Sequence, residues 1–237
     1  MVAQGLAENR TRAQALILAG KIFSDDRRLD KAGQMVPADT ALRLKGRDHP
    51  WVSRGGVKLR HGLAAFGFDP KGAVALDIGA STGGFTDVLL HLGAAKVHAV
   101  DVGHGQLDWK LRKDPRVVVL ERTNARHLSQ KIVPEPVDFL TCDASFIGLR
   151  TVLPAALSLV RPGGRLIALI KPQFEVGPEQ VGKGGVVRDP VLHAWSCDVI
   201  RNWLDGRDNW QVVGVDESPI TGPEGNKEFL IGAVRDG

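Results

Sequence analysis

The sequence predicts an α/β protein in which a mostly parallel, doubly wound sheet follows a small basic α+β module. Seven short apolar runs lie between residues 74 and 234, and segments long enough for crossover helices separate the first five. A Gly/Pro-rich stretch over residues 218–226 joins the last two runs and permits an antiparallel final hairpin. Residues 1–60 hold twelve Lys/Arg against six acids, in a chain whose net charge is only +4. That asymmetry is typical of a nucleic-acid-binding arm on a near-neutral body.

The front module begins with a predicted helix over residues 9–20, in which Asn9 is the N-cap and Gly20 ends the helix. Arg10 and Arg12 lie in its first turn, where a cation opposes the helix dipole, so we interpret them as phosphate ligands. Two solvated arginines are an equally good explanation. Turn-rich sequence with short strands follows to about Lys45.

The main domain follows a charged linker. The predicted strands cover residues 74–78, 96–102, 117–121, 137–142, 165–170, 210–215 and 229–234. We therefore place the front module at residues 1–46, the linker at 47–53 and the main domain at 54–237.

The cysteine content and the length of the apolar runs disfavour several classes of protein. Cys142 and Cys197 are the only cysteines and neither has a Cys/His cluster around it, which disfavours a disulfide framework and a structural zinc site. No apolar run approaches about 18 residues, and the first residues lack the charged-then-apolar order of a signal peptide. We expect a soluble cytoplasmic protein with no membrane association and no metal.

The strongest local motif is the glycine-rich turn over residues 77–86, between the first strand of the predicted sheet and a helix. Its Gly-x-x-x-Gly-Gly spacing differs from the Gly-x-Gly-x-x-Gly of a dinucleotide site, and no Gly-Lys-Ser/Thr of a Walker loop follows. Asp77 precedes the turn, where it would repel pyrophosphate but attract the amino group of an amino-acid-like cofactor. Asp101 ends the second strand, where a carboxylate can accept both ribose hydroxyls of an adenosine. These features predict an S-adenosylmethionine site, and a turn that merely starts a helix is the alternative.

Several long blocks of the sequence resemble the TlyA-type proteins, historically called hemolysins, whose catalytic domain is FtsJ-like. They include Asp-Ile-Gly-Ala-Ser-Thr-Gly-Gly-Phe-Thr-Asp, Lys-Pro-Gln-Phe-Glu and Gly-Lys-Gly-Gly-Val-Val-Arg-Asp-Pro. The blocks cover residues 10–21, 52–58, 77–87, 101–107, 121–126, 143–147, 171–175 and 182–190. The resemblance implies a Rossmann-like seven-stranded methyltransferase sheet behind an S4-like RNA-binding module. It also implies methylation of ribosomal RNA on ribose 2′-hydroxyls, with cytidine as the usual target.

FtsJ-like enzymes carry a Lys-Asp-Lys-Glu tetrad, which the resemblance assigns to Lys58, Asp143, Lys171 and Glu228. A ribose hydroxyl is a weak acid, so methyl transfer needs in-line placement and a nearby group to take the proton. An ordinary lysine is mostly protonated at neutral pH, and we expect a second lysine and partial burial to favour its neutral form. Our hypothesis is that Lys171 is the base or hydroxyl-orienting group. Lys58 assists it and positions the ribose, while Asp143 and Glu228 align the lysines.

Two sets of binding residues complete the prediction. The candidate cofactor-binding residues are Asp77, Gly79, Ser81, Thr82, Gly83, Gly84, Phe85, Asp101, Asn124 and Asp143, and the candidate RNA-binding residues are Arg10, Arg12, Lys21 and Arg54. The resemblance implies that Asn124 contacts the adenine, although a turn-forming Asn is an equally good account. Phe146 is a candidate for stacking on a base and Phe174 for lining the pocket, with core packing as the commoner alternative. The glycine-rich loop over residues 181–190 is a candidate to close over the site.

Two departures from the family concern the front module. Family members usually begin about ten residues earlier, which leaves open either a late start codon or a shortened module. The usual Val-Asn-Gly turn is replaced by Phe-Ser-Asp-Asp at residues 23–26, and the two acids reduce attraction for phosphate.

We expect an S-adenosylmethionine-dependent enzyme whose partner is ribosomal RNA or a ribosomal subunit, with its oligomeric state left open. A membrane-active hemolysin, a non-catalytic RNA-binding assembly factor and a small-molecule methyltransferase are the alternatives.

Overall fold

The computed structural model describes residues 1–2, 4, 6–7, 10–24, 27–37, 40–44, 49–222 and 224–237, without the side chains of Arg12 and Leu44. The chain divides into two compact units, Met1–Pro50 and Trp51–Gly237. Asn9, the acids at 25 and 26 and the first residues of the predicted linker lie outside the described residues.

The first unit is a short helix followed by a small antiparallel sheet. Its elements are α1 (Arg10–Leu18), β1 (Ile22–Ser24), β2 (Arg27–Arg28) and β3 (Leu42–Leu44), with the strand order β2-β1-β3. Leu16, Ile22 and Leu29 form its buried cluster. Gly20 has a φ of 64°, a left-handed conformation that suits the end of a helix. The helix and the short strands predicted for this part of the sequence are confirmed.

The second unit contains a seven-stranded sheet with the order β6-β5-β4-β7-β8-β10-β9. The strands are β4 (Val74–Ile78), β5 (Lys96–Val100), β6 (Val117–Leu120), β7 (Val137–Cys142), β8 (Val160–Ile170), β9 (Trp210–Glu217) and β10 (Phe229–Arg235). The helices are α2 (Gly55–Phe66), α3 (Gly84–His91), α4 (Trp109–Arg112), α5 (Leu149–Val152), α6 (Pro154–Leu157), α7 (Pro172–Glu175) and α8 (Pro190–Asp205). Strands β4 to β8 are parallel, and β10 pairs antiparallel with both β8 and β9. The predicted parallel sheet and antiparallel final hairpin are therefore confirmed.

The crossover segments differ from the prediction at two places. The connection between β6 and β7 contains only a 3-10 helix, Ala125–His127, and α4 between β5 and β6 is a single turn. Pro134 and Pro136 follow the 3-10 helix, and Pro115 follows α4. Because proline lacks an amide proton and restrains the residue before it, a helix in either segment cannot continue through these positions.

The two faces of the sheet are covered by different helices. Leu59, Leu63 and Val88 from α2 and α3 pack in one buried cluster with Ala75 of β4. On the other face, α5, α6 and α8 pack against residues such as Leu76. The parallel strand order reverses between β4 and β7, and in such sheets a crevice opens beyond the carboxyl ends of the strands at this point. No helix in the described ranges has the length and apolar character needed to cross a bilayer.

Candidate active site

Two adjoining cavities open at the carboxyl ends of β4 and β7. One, of about 650 Å³, contains the four tetrad residues and is called the tetrad cavity. The other, of about 740 Å³, lies beside the turns that follow β4, β5 and β6 and is called the loop cavity. Both are lined by Gly79, Ser81, Asp143, Ser145 and Phe146. A group bound in one cavity can therefore reach a group bound in the other.

The tetrad forms a continuous row of alternating charges. Lys58 Nζ lies 2.5 Å from Glu228 Oε2 and 3.7 Å from Asp143 Oδ2. Lys171 Nζ lies 2.6 Å from Asp143 Oδ1 and donates a hydrogen bond to Ser145 Oγ at 3.0 Å. The structure thus brings together all four residues that the resemblance suggested, and two cations balance two anions.

Four different elements supply the tetrad. Lys58 lies on α2, Asp143 follows β7, Lys171 follows β8, and Glu228 directly precedes β10. In the antiparallel pair of β8 and β10, Phe229 is opposite Ile170, which brings Glu228 and Lys171 to the same edge of the sheet. Lys58 and Lys171 are each 7% exposed and Glu228 is 2% exposed. Charges buried to this extent require close partners of opposite sign.

The glycine-rich turn brings its backbone close to β7. Gly79 has a φ of 75°, and a Cβ atom there would lie 2.8 Å from the carbonyl oxygen of Asp143. Gly83, with a φ of 96°, is the N-cap of α3. Ser81 N donates to Asp101 Oδ2 at 2.8 Å, and Gly103 N donates to Asp101 Oδ1 at 2.7 Å. Asp101 therefore connects the turns after β4 and β5 and also lines the loop cavity.

Asp77 has a different position from the one the sequence suggested. It is completely buried, and its two carboxylate oxygens accept hydrogen bonds from the hydroxyls of Thr86 at 2.7 Å and Thr141 at 3.0 Å. Burial raises the pKa of Asp77 to about 6; the charge of Asp143 adds to this rise, and the two hydroxyl hydrogen bonds oppose it. Asp77 is absent from the residues that line the two cavities. The carboxylate joins β4, β7 and α3 behind the turn, and its direct contact with a cofactor stays a prediction.

Some of the other candidate cofactor-binding residues line a cavity, and others serve the packing of the fold. Thr82 and Phe85 line the tetrad cavity, although Phe85 is 3% exposed and also belongs to the core. At Gly84, a Cβ atom would lie 2.2 Å from Ser53 Oγ, so this glycine permits the close approach of α3 to the start of α2. Asn124 lines the loop cavity, and its Oδ1 accepts from Arg126 N at 3.1 Å as the cap of the 3-10 helix. Both explanations of Asn124 are compatible with this geometry.

The candidate RNA-binding residues lie in both units. Arg54 lines the tetrad cavity and donates to the carbonyl of Thr221 at 3.3 Å. Arg10 is exposed on α1 and Lys21 is half-buried after it. The Arg12 side chain lies outside the described residues.

An aromatic pair stands where the two cavities meet. Phe146 is 91% exposed and has a φ of 64°, which is rare for a bulky residue. Its ring centroid is 5.4 Å from that of Phe174, and the planes are tilted by 47°. The core-packing alternative is therefore wrong for Phe146, whose side chain is open to solvent and to both cavities.

Three further residues at the site were missed in the sequence: Ser145, Gln173 and Asn226. Asn226 is 1% exposed; its Oδ1 accepts from Val187 N at 3.0 Å and its Nδ2 donates to Gly185 O at 2.8 Å. The glycine-rich loop is thus fixed at the wall of the tetrad cavity, which Gly185 and Asn226 both line. Ser145 and Gln173 fall within blocks that resemble the family, which is the only signal that marked them.

The loop cavity fits S-adenosylmethionine. A pocket of 740 Å³ is within the range of ligand and cofactor sites. Val100, Val102 and Ile147 provide apolar lining, and Asp101 provides a carboxylate. No group of three or more His, Cys, Asp or Glu within the described ranges is arranged to hold a metal ion.

Comparisons with known proteins agree with this geometry. Residues 51–235 match the FtsJ-like methyltransferase family. The chain is 48% identical to the 16S/23S rRNA (cytidine-2′-O)-methyltransferase TlyA of Mycobacterium tuberculosis, with 98% of this chain and 86% of that protein aligned. It is 36% identical to Hemolysin A of Brachyspira hyodysenteriae, over 96% of this chain and 94% of that protein. A solved structure that carries a hemolysin name, from Streptococcus thermophilus, has a TM-score of 0.79 and 42% identity, covering 99% of this chain and 86% of that one.

Proposed function

Because this chain belongs to the FtsJ-like methyltransferase family, we propose that it transfers a methyl group from S-adenosylmethionine to a ribose 2′-hydroxyl of ribosomal RNA, at a cytidine. The buried Lys58–Glu228 and Lys171–Asp143 pairs beside the loop cavity are the observation that carries this proposal. A row of acids and bases adjacent to a cofactor-sized pocket is what proton removal during methyl transfer requires.

The loop cavity is the proposed cofactor site. Its Asp101 would accept hydrogen bonds from ribose hydroxyls, Asn124 would contact the adenine, and the turn at Gly79 and Ser81 would enclose the amino-acid end. The cofactor supplies an electrophilic methyl group when bound. Asp77 contributes by holding the turn rather than by contact, because its carboxylate is engaged by two threonine hydroxyls.

The tetrad is proposed to orient the ribose hydroxyl and to remove its proton. Lys171 orients the hydroxyl and, once its ammonium has released a proton to solvent, takes up the hydroxyl proton as the oxygen acquires the methyl group. Asp143 lies between the two lysines, within 2.6 Å of one and 3.7 Å of the other, and fixes their separation. Glu228 holds Lys58 so that its ammonium can position the ribose. At the junction of the cavities, Phe146 offers an exposed ring for stacking by the base.

The first unit is proposed to be an S4-like RNA-binding module. Arg10, Arg27, Arg28 and Lys31 are exposed on it, which suits contact with phosphates. We expect the double substitution Arg10→Glu with Lys21→Glu to weaken RNA binding and flatten its dependence on salt, while cofactor binding stays unchanged. Lys71→Glu, at an exposed site in the second unit, is the matched control. Equal affinity of the double variant and the control would exclude this role.

Methylation of isolated ribosomal subunits with tritium-labelled S-adenosylmethionine tests the main proposal. The expected result is label in ribosomal RNA, located at a cytidine as a 2′-O-methyl group that blocks alkaline cleavage at that position. Absence of transfer to both subunits and to naked ribosomal RNA, by protein that binds the cofactor, would overturn it. A ribosomal substrate also implies a cytoplasmic location for the protein.

A further inference from the structure

Gln173 is a polar side chain of the tetrad cavity that the mechanism above does not use. It lies in α7, two residues after Lys171 and one before Phe174, and its side chain lines the cavity. Its Oε1 is buried and has no hydrogen-bond partner in the described part of the chain. A buried acceptor left without a donor lowers the stability of the fold, so such a group in a binding cavity is a candidate for contact with a ligand.

None of the four tetrad residues donates a hydrogen bond to this acceptor in the structure. Asp143 and Glu228, which line the same cavity, are acceptors themselves. The ammonium groups of Lys58 and Lys171 are each within 2.6 Å of a carboxylate. A molecule that enters the cavity can supply the donor that Oε1 lacks.

The position of Gln173 suits the base of a nucleotide more than its phosphate. A phosphate offers only acceptors, which cannot pair with an amide oxygen. The aromatic pair of Phe146 and Phe174 lies next to it, and recognition of an unstacked base combines an aromatic face with hydrogen bonds to the base edge. Cytosine presents an exocyclic amino donor beside the N3 acceptor, which complements the oxygen and the NH2 of a glutamine side chain.

We propose that Gln173 recognises the target cytidine, with its Oε1 accepting a hydrogen bond from the exocyclic amino group of the base. This assignment rests on the proposed function, because it requires a cytidine in the tetrad cavity. Gln173 would then be a specificity-determining residue, and its loss would reduce discrimination rather than remove the proton-transfer machinery.

A double-mutant cycle between the side chain and the base tests the assignment. The substrates are a ribosomal RNA fragment that the wild type methylates and the same fragment with pyrimidin-2-one, which lacks the amino group, at the target position. We expect the wild type to lose about tenfold or more in kcat/KM on the modified RNA. Gln173→Leu should be slow on the cytidine RNA and lose little further on the modified one. Gln130→Leu, at an exposed site, should behave as the wild type.

Each contrary outcome has a distinct meaning. If the wild type methylates neither subunits nor fragment, the proposed function fails. If it is active and Gln173→Leu is as fast as the wild type on both RNAs, the amide serves only solvent and the assignment is overturned. The assignment is also overturned if the modified base slows the wild type and the variant equally, because the two groups are then not coupled. Unchanged cofactor affinity in Gln173→Leu confirms that the variant is folded.

Discussion

The loop cavity and the tetrad cavity meet at the end of β4 and share several lining residues, yet different kinds of contact hold them in shape. In the loop cavity, Asp101 accepts from the backbone of Ser81, twenty residues earlier, and from Gly103, two residues later. In the tetrad cavity, Lys58 pairs with Glu228, 170 residues away. Hydrogen bonds between neighbouring turns hold the loop cavity in shape, whereas ion pairs between residues far apart in the sequence hold the tetrad cavity in shape.

Because of this difference, we expect substitutions in the loop cavity and in the tetrad cavity to have different effects. Removal of a carboxylate from a turn changes the shape of the backbone around the cofactor. Removal of a tetrad member leaves an opposite charge buried without its partner, which affects both stability and chemistry. The predictions that follow test this separation.

We expect the largest effect from Lys171→Ala. Methyl transfer should fall by about 10²–10⁴-fold, the usual contribution of a positioned acid or base, while the dissociation constant for S-adenosylmethionine stays the same. Single-turnover transfer of labelled methyl groups and calorimetry measure the two quantities. The exposed Lys131→Ala is the control. An active Lys171→Ala protein would contradict the role given to this lysine.

The next effect concerns the buried pair of Lys58 and Glu228. Glu228→Gln should lower the free energy of unfolding by about 3–5 kcal/mol, because Lys58 then keeps only the more distant Asp143. Lys58→Met combined with Glu228→Gln should recover much of the stability and remain inactive. Urea denaturation measures both, with the exposed Glu224→Gln as control. Equal stability of the single variant and the wild type would show that the pair does not hold the cavity together.

Asp77 gives a pH-dependent prediction. Its pKa is about 6 in the folded protein against 3.8 for an ordinary aspartate, so the folded state binds more protons between these values. The corresponding stability is present below about pH 4 and is lost as the pH rises through 6, a difference of roughly 3 kcal/mol. Asp77→Asn should remove this dependence while it retains cofactor binding. Loss of cofactor binding in this variant would instead support the direct contact between Asp77 and the cofactor that the sequence predicts.

The smallest effect is expected for Asp101→Ala. Loss of its hydrogen bonds to ribose and to the turn should weaken S-adenosylmethionine binding by about tenfold, or about 1.4 kcal/mol. At saturating cofactor, methyl transfer should stay within a few-fold of the wild type, because the tetrad is unchanged. Isothermal titration and saturating-cofactor rates distinguish the two, with Asp198→Ala as an exposed control. A large loss of rate at saturation would show that the cavities are not independent.

The sequence predicted the sheet well because apolar runs mark buried strands. It missed residues 160–164 at the start of β8, where Arg161, Pro162 and two glycines do not have the composition of a strand. The glycine-rich turn and Asp101 were visible because their geometry is local. The two hydrogen bonds that Asp77 accepts could not be predicted from the sequence, since Thr141, which donates one of them, is 64 residues away.

The tetrad itself came from resemblance, and no local pattern could have linked α2 to the residue before β10. Gln173 and Asn226 were not predicted as site residues for the same reason. Gln173 is notable because its buried oxygen has no hydrogen-bond partner, and Asn226 because its two hydrogen bonds hold a loop. Both features arise only when separate elements pack together.

The place of β10 between β8 and β9 has a consequence for biosynthesis. Glu228 is translated after every other member of the tetrad, and until β10 inserts, β8 and β9 have no shared partner strand and Lys58 lacks the carboxylate of Glu228. A nascent chain that stops short of this strand carries the entire cofactor turn but no finished catalytic site. The catalytic site is therefore complete only when this last strand of the sheet has paired with β8.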